Sequence, residues 1–106
     1  MLKGDAMTNP QTPSVPDFHA FKRAALADGF DETRVRTWAP LETVPEHRHD
    51  FAARALVVEG EMWLTQAGQT RHLVAGDTFV LSHNEPHSER YGANGATYWV
   101  ARRSQG

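Results

Sequence analysis

Phe51-Ala52-Ala53-Arg54-Ala55-Leu56-Val57-Val58-Glu59-Gly60-Glu61-Met62-Trp63-Leu64 is the stretch on which the fold of this 106-residue chain turns. It holds two apolar runs broken by a glycine, in the manner of a β-hairpin. Directly before it stands His47-Arg48-His49. After it, Gly76-Asp77-Thr78-Phe79-Val80-Leu81-Ser82-His83-Asn84-Glu85-Pro86-His87 leads from a turn signal through a β-rich run to another histidine. Side chains on a strand alternate faces, so His47 and His49 point the same way. His87, from a distant strand, would complete a facial set around one ion, and neutral imidazole suits zinc, iron, copper and nickel.

Outward from this stretch the pattern stays β. Arg34-Val35-Arg36-Thr37-Trp38 alternates polar and apolar residues, and Pro40 and Pro45 punctuate the approach to the histidine pair. Strands are expected at 51 to 58, 61 to 65, 70 to 74, 78 to 82, 87 to 91 and 97 to 102, separated by turns rich in glycine. Many short strands of this kind make a sandwich or a barrel. Upstream, Phe18, Phe21, Ala25 and Leu26 predict a short amphipathic helix over residues 17 to 28, stopped by Gly29 and packed on the barrel. Residues 1 to 16, with prolines and few large apolar groups, are expected to form a mobile tail. The domain then occupies 17 to 106, with its barrel at about 32 to 103.

The order of histidine pair, strand, Glu-Gly turn, strand, Gly-Asp turn, strand and Pro-His resembles the cupin superfamily over residues 35 to 103. His47 and His49 match the paired histidines of its first motif and Gly60 the closing glycine; Gly76, Asp77 and His87 match the second motif. The resemblance implies an all-β, RmlC-like fold, a double-stranded β-helix or jelly-roll barrel, here with a short N-terminal helix. It also implies a divalent transition metal, Fe(II), Zn, Ni or Mn, held by His47, His49 and His87. Two positions depart from the pattern. Ala53 stands where the family usually places a glutamate ligand, and Ser82 where it usually has proline. Three neutral imidazoles leave a divalent site near +2, which favours an anionic partner, and zinc on three histidines is a competent arrangement. Glu85 or His83 is an alternative source of a fourth ligand.

Composition narrows the partners. About 40% of residues are hydrophobic, with no apolar run long enough to span a membrane. The formal charge of −2 comes from interspersed acids and bases, which favours neither nucleic acid nor a membrane surface. There are no cysteines, which excludes disulfides, thiolate nucleophiles and Cys-based zinc sites. The first residues lack the apolar segment of a secretory signal, so the expected location is cytoplasmic.

With His47 and His49 inward, strand parity turns Phe51, Ala53, Ala55 and Val57 inward and Arg48, Arg54 and Leu56 outward. Phe51, Ala53, Trp38 and Tyr98 are the expected pocket residues, with core packing the alternative for the aromatics, Trp63 and Trp99 included. Leu56 and Val58 leave an apolar strip outside, to be covered by the helix or by a second copy in a homodimer. His19, His72 and His83 read as structural or exposed. Glu42, Glu46, Glu59, Glu61, Glu85 and Glu89 read as rim or turn residues, and no Gly-x-Ser-x-Gly elbow is present. The first functional expectation is a metal-dependent enzyme, dioxygenase-like or isomerase-like, acting on a small anionic molecule. The second is a non-catalytic small-molecule sensor or binding module. A structural barrel with a decayed metal site is the third, against which the three retained histidines argue.

Overall fold

The computed structural model describes residues 17–104, so the expected tail at 1 to 16 lies outside the described residues. Asp17 caps helix α1 (Phe18–Ala27), its carboxylate accepting a hydrogen bond from the His19 amide at 3.0 Å, which satisfies one of the amides a helix start leaves unpaired. Gly29, with φ +92°, turns the chain out of the helix. Phe18 and Phe21 place their rings edge-on to Trp99, at centroid distances of 5.3 and 5.8 Å. Arg54 ties down the helix end through an ion pair with Asp28 at 2.8 Å. His19 stays exposed.

Six antiparallel strands follow: β1 (Glu32–Trp38), β2 (Thr43–His47), β3 (Ala52–Gln66), β4 (Gln69–Val74), β5 (Thr78–Leu81) and β6 (His87–Arg103). The hairpin that Gly60 predicts is not formed. β3 runs straight through it, and β6 likewise runs through Gly92-Ala93-Asn94-Gly95. Gly60 and Gly95 both take left-handed backbone, φ +76° and +69°, and a Cβ on Gly60 would lie 2.1 Å from the Gly95 carbonyl oxygen. Glycine therefore lets the two strands bend against each other while their ladder continues past register shifts at Val57/Glu59 and Gly60/Met62.

Each bent strand serves two layers. The first layer has the order β1, second half of β6, first half of β3, β5; the second has β2, first half of β6, second half of β3, β4. The core between them holds Ala53, Ala55, Val57, Phe79, Leu81 and Val100 from the first layer and Met62, Leu64, Leu73 and Tyr91 from the second. This is the jelly-roll architecture of a double-stranded β-helix. β2, absent from the expected strands, carries Pro45 inside it. As an edge strand paired only with β6, with a register shift between Val44 and His47, it needs no ladder donor there.

Parity on β3 is as expected, with Ala53, Ala55 and Val57 buried. On β1 burial does not alternate: Val35 is 53% exposed, and Arg34 and Arg36, also exposed, border the cavity. Leu56 pairs with Trp99, so the outer strip is met from this side by the aromatic residues of α1.

Candidate metal centre

His47 is the last residue of β2, His49 lies in the loop just beyond it, and His87 opens β6 opposite His47. One ligand nitrogen from each lies within 4.8 Å of the others. The Nε2 atoms of His47 and His49 are 3.2 Å apart. Nδ1 of His47 is 2.9 Å from the Pro45 carbonyl oxygen, and Nδ1 of His87 is 3.0 Å from that of Glu85. A carbonyl only accepts, so both Nδ1 atoms carry the proton, and both Nε2 lone pairs turn to the shared space. Backbone carbonyls in this role orient imidazoles for a metal. His87 Nε2 is buried with no hydrogen-bond partner, which is costly unless a cation or proton donor meets it. The donor set thus fits a divalent transition metal.

Glu89 corrects the reading of rim glutamates. It is buried, 8% exposed, with Oε2 3.4 Å from His87 Nε2 and 3.8 Å from His47 Nε2. Its Oε1 accepts a short hydrogen bond from the Tyr91 hydroxyl. His49 lies beyond the strand end, so the chain's turn rather than strand period brings it beside His47. Along β6 the period of two does put His87, Glu89 and Tyr91 on one face, a signal the sequence contained. Burial pushes the Glu89 carboxyl up, but His87 and Tyr91 hold it below its ordinary value. Burial pulls the His87 imidazole down, and the Glu89 carboxylate beside it together with the Glu85 carbonyl more than offsets this, leaving it raised. His49 is lowered, by burial first and then by His47 and His87.

The two alternative fourth ligands are engaged elsewhere. The Glu85 carboxylate accepts from the Ser82 amide at 2.8 Å and from Gln66 Nε2 at 3.2 Å. His83 is exposed and hydrogen-bonded to Asn84. His72 pairs with Glu61 at 2.6 Å on the outer face of the second layer, stacked on Trp63.

A cavity of about 70 Å³ opens from His49 and His87 along the first layer, walled by Phe51, Ala53, Phe79, Leu81, Tyr98 and Val100. Phe51, Ala53 and Tyr98 therefore lie where the sequence reading puts them, and Trp38 does not. Trp38 pairs with Ala96 beside the Gly60–Gly95 bend, and its ring stacks on Tyr91 at 5.2 Å, so it packs against the core behind the centre. Arg34, Arg36, Arg102 and Glu89, which the sequence reading missed, complete the wall. Their hydrophilicity hid them, because inward positions on a strand are ordinarily sought among apolar residues. Glu32 pairs with Arg34 at 3.0 Å and Arg102 at 3.2 Å. Arg36 has no carboxylate partner among the described residues, and its guanidinium lies 4.9 Å from the Trp38 ring. Arg102 lies over Phe51 at 4.5 Å, with its Nε buried and unpartnered.

Fold and centre together define an RmlC-like cupin. Residues 29–103 match the AraC-like ligand binding domain, and the chain belongs to that family. It is 49% identical over 76 residues to an uncharacterized HTH-type transcriptional regulator of Haemophilus influenzae, a match covering 69% of this chain and 26% of that protein. The chain thus spans about a quarter of the length of that curated relative. Similar solved structures include an RmlC-like cupin from Shewanella frigidimarina (TM-score 0.60, 20% identity, 69% of this chain and 66% of that one). The DMSP lyase DddQ from Ruegeria pomeroyi also matches, with TM-score 0.64 and 22% identity over 69% of this chain and 38% of that one. At these identities the likeness is one of fold. No helix among the described residues is long and apolar enough to cross a membrane.

Proposed function

We infer that this chain is a metal-anchored binding module for a small anionic molecule, in which His47, His49 and His87 hold a divalent transition metal and Arg34, Arg36 and Arg102 draw the ligand in. The carrying observation is the cavity itself, where imidazoles stand at one end and three arginines share the wall with one carboxylate, Glu89, which lies beside the imidazoles. Glu32, outside the lining, pairs with Arg34 and Arg102 and leaves Arg36 without a carboxylate partner among the described residues. A bound metal would supply a Lewis-acidic point of attachment for an anion. About 70 Å³ is small beside the roughly 300 Å³ or more of pockets that enclose a whole organic ligand, so the ligating end of the ligand enters and the remainder lies at the mouth. Family membership and the regulator relative support a sensor role. In a regulator of that kind, contact with DNA would fall to another module. A homodimer formed through the outer face of the first layer, where Val35 and Val80 stay exposed, and a cytoplasmic location fit this reading.

Turnover is the second reading, favoured by the space left beside the centre at Ala53. Oxygen consumption after anaerobic Fe(II) loading, with thiols, diketones and aromatic acids as substrates, separates the two.

Thermal unfolding with Co(II) and a panel of small carboxylates tests the first reading. Metal and carboxylate together should raise Tm further than metal alone, since a ligand at 100 times its Kd stabilises by about 2.7 kcal/mol. Arg36→Ala should remove the carboxylate increment and keep the metal increment. A carboxylate increment that survives Arg36→Ala and Arg102→Ala would remove the arginines from the ligand site.

A further inference from the structure

Ala53 vacates the position where the cupin pattern places a carboxylate, and a different strand brings one to the same imidazoles. We propose that Glu89, on β6, is the fourth metal ligand of the histidine centre. The proposal rests on the metal-binding reading above and adds a donor that this reading does not contain.

Metal–ligand bonds of about 2.1 Å place neighbouring donor atoms roughly 3.0 Å apart at right angles and roughly 3.4 Å apart at the tetrahedral angle. Glu89 Oε2 stands 3.4 Å from His87 Nε2 and 3.8 Å from His47 Nε2, and the two histidine Nε2 atoms of β2 and its loop are 3.2 Å apart. The mutually close set is the three histidines; Glu89 Oε2 stands at ligand-pair separation from His87 and slightly beyond it from His47, so a small side-chain adjustment brings it onto an ion that the imidazoles hold. The orientation of the rings argues the same way. With Nδ1 of His47 and His87 each held by a backbone carbonyl, both Nε2 atoms are turned to the space that the Glu89 carboxylate also borders.

Burial adds a second constraint. Glu89 is 8% exposed, and among the described residues only imidazoles lie within ion-pair distance of it. A buried carboxylate without a compensating cation is costly. Tyr91 donates to Oε1, which fixes the rotamer and leaves Oε2 as a single ligating oxygen, the usual task of a group supporting a ligand from behind. Moving the carboxylate from β3 to β6 also has a consequence for access. It lowers the site charge from near +2 to near +1 and leaves the Ala53 side of the ion facing the cavity, so the ligand approaches from β3.

Cobalt binding to the full chain tests this at fixed pH, read by competition affinity and by the visible d–d spectrum. Wild type should bind one Co(II). Glu89→Gln, nearly isosteric and able to keep the Tyr91 hydrogen bond, should weaken affinity by at least about tenfold and change the spectrum. Glu89→Asp keeps the charge but withdraws the oxygen by one methylene; a ligand role predicts a loss here too, whereas retained affinity would mean the carboxylate acts only by charge and would overturn the proposal. The double variant Ala53→Glu/Glu89→Gln should recover affinity by returning a carboxylate from β3. Thermal unfolding of each metal-free variant separates lost ligation from lost fold. If Glu89→Gln stays within about twofold of wild type with an unchanged spectrum while His87→Ala loses the metal, Glu89 is no ligand and the three-histidine reading stands. If wild type binds no cobalt, or His87→Ala binds as well as wild type, both readings fail.

Discussion

β3 and β6 lie side by side through both layers, yet they present opposite chemistry to the interior. From Ala53 through Ala55, Val57, Met62 and Leu64, every buried side chain of β3 is apolar. β6 opens with His87, Glu89 and Tyr91 inward and turns apolar only past the bend, at Ala96, Tyr98 and Val100. Both strands bend at the Gly60–Gly95 contact, so the backbone does not make the difference. What differs is what each inward position meets. The first half of β6 lies beside β2, which delivers His47, whereas the inward side chains of β3 belong to the common apolar core. Polar groups are tolerated inside the barrel where they can satisfy one another, and one strand can concentrate them while its neighbour supplies packing.

The contrast predicts that substitutions on the two strands damage different properties. Leu64→Ala on β3, at a fully buried position, should cost about 2–5 kcal/mol of stability through lost burial and a residual cavity, with metal affinity of the folded fraction unchanged. Urea unfolding beside cobalt titration measures both, and a weakened metal site would show that β3 shapes the centre after all. Gly60→Ala, at the bend the two strands share, should cost roughly 2–3 kcal/mol, from a left-handed residue with a Cβ and from crowding against Gly95. A thermal unfolding curve matching wild type would mean that the bend does not depend on glycine. On β6, Tyr91→Phe should be milder in stability, about 1.5 kcal/mol for a lost hydrogen bond to a carboxylate. Its effect on cobalt affinity should be about tenfold, as for other groups that support a ligand. Unchanged affinity in that variant would detach Tyr91 from the centre and restrict the polar task of β6 to His87 and Glu89.

Much of this was legible in the residues. The alternation after His49, the turn signals and the His47-Arg48-His49 spacing identify an all-β barrel with a convergent histidine set, because period-two patterning and imidazole chemistry are local properties of the chain. Helix α1 was legible for the same reason, through the spacing of Phe18, Phe21 and Ala25 and the stop at Gly29. Gly60 reads as a hairpin turn in the sequence and is a bend within one strand in the fold. A glycine with positive φ serves a turn and a bend equally well, and only its contact with Gly95 distinguishes them. For Trp38 the sequence leaves a pocket wall and core packing both open, and its register opposite Ala96 carries it to the core side, away from the histidine end.

By itself, then, the sequence determined the strand-rich architecture, the inward face of β3 and the three histidines that would share an ion. Each follows from spacing within a short stretch. Only the tertiary structure decided that Glu89 joins those histidines, that Arg34, Arg36 and Arg102 line the cavity, and that β3 and β6 run unbroken through both layers. The reason is physical. Whether a charged side chain on an alternating strand faces water or a cavity depends on what the neighbouring strands place opposite it, and strand register is a contact between segments far apart in the chain.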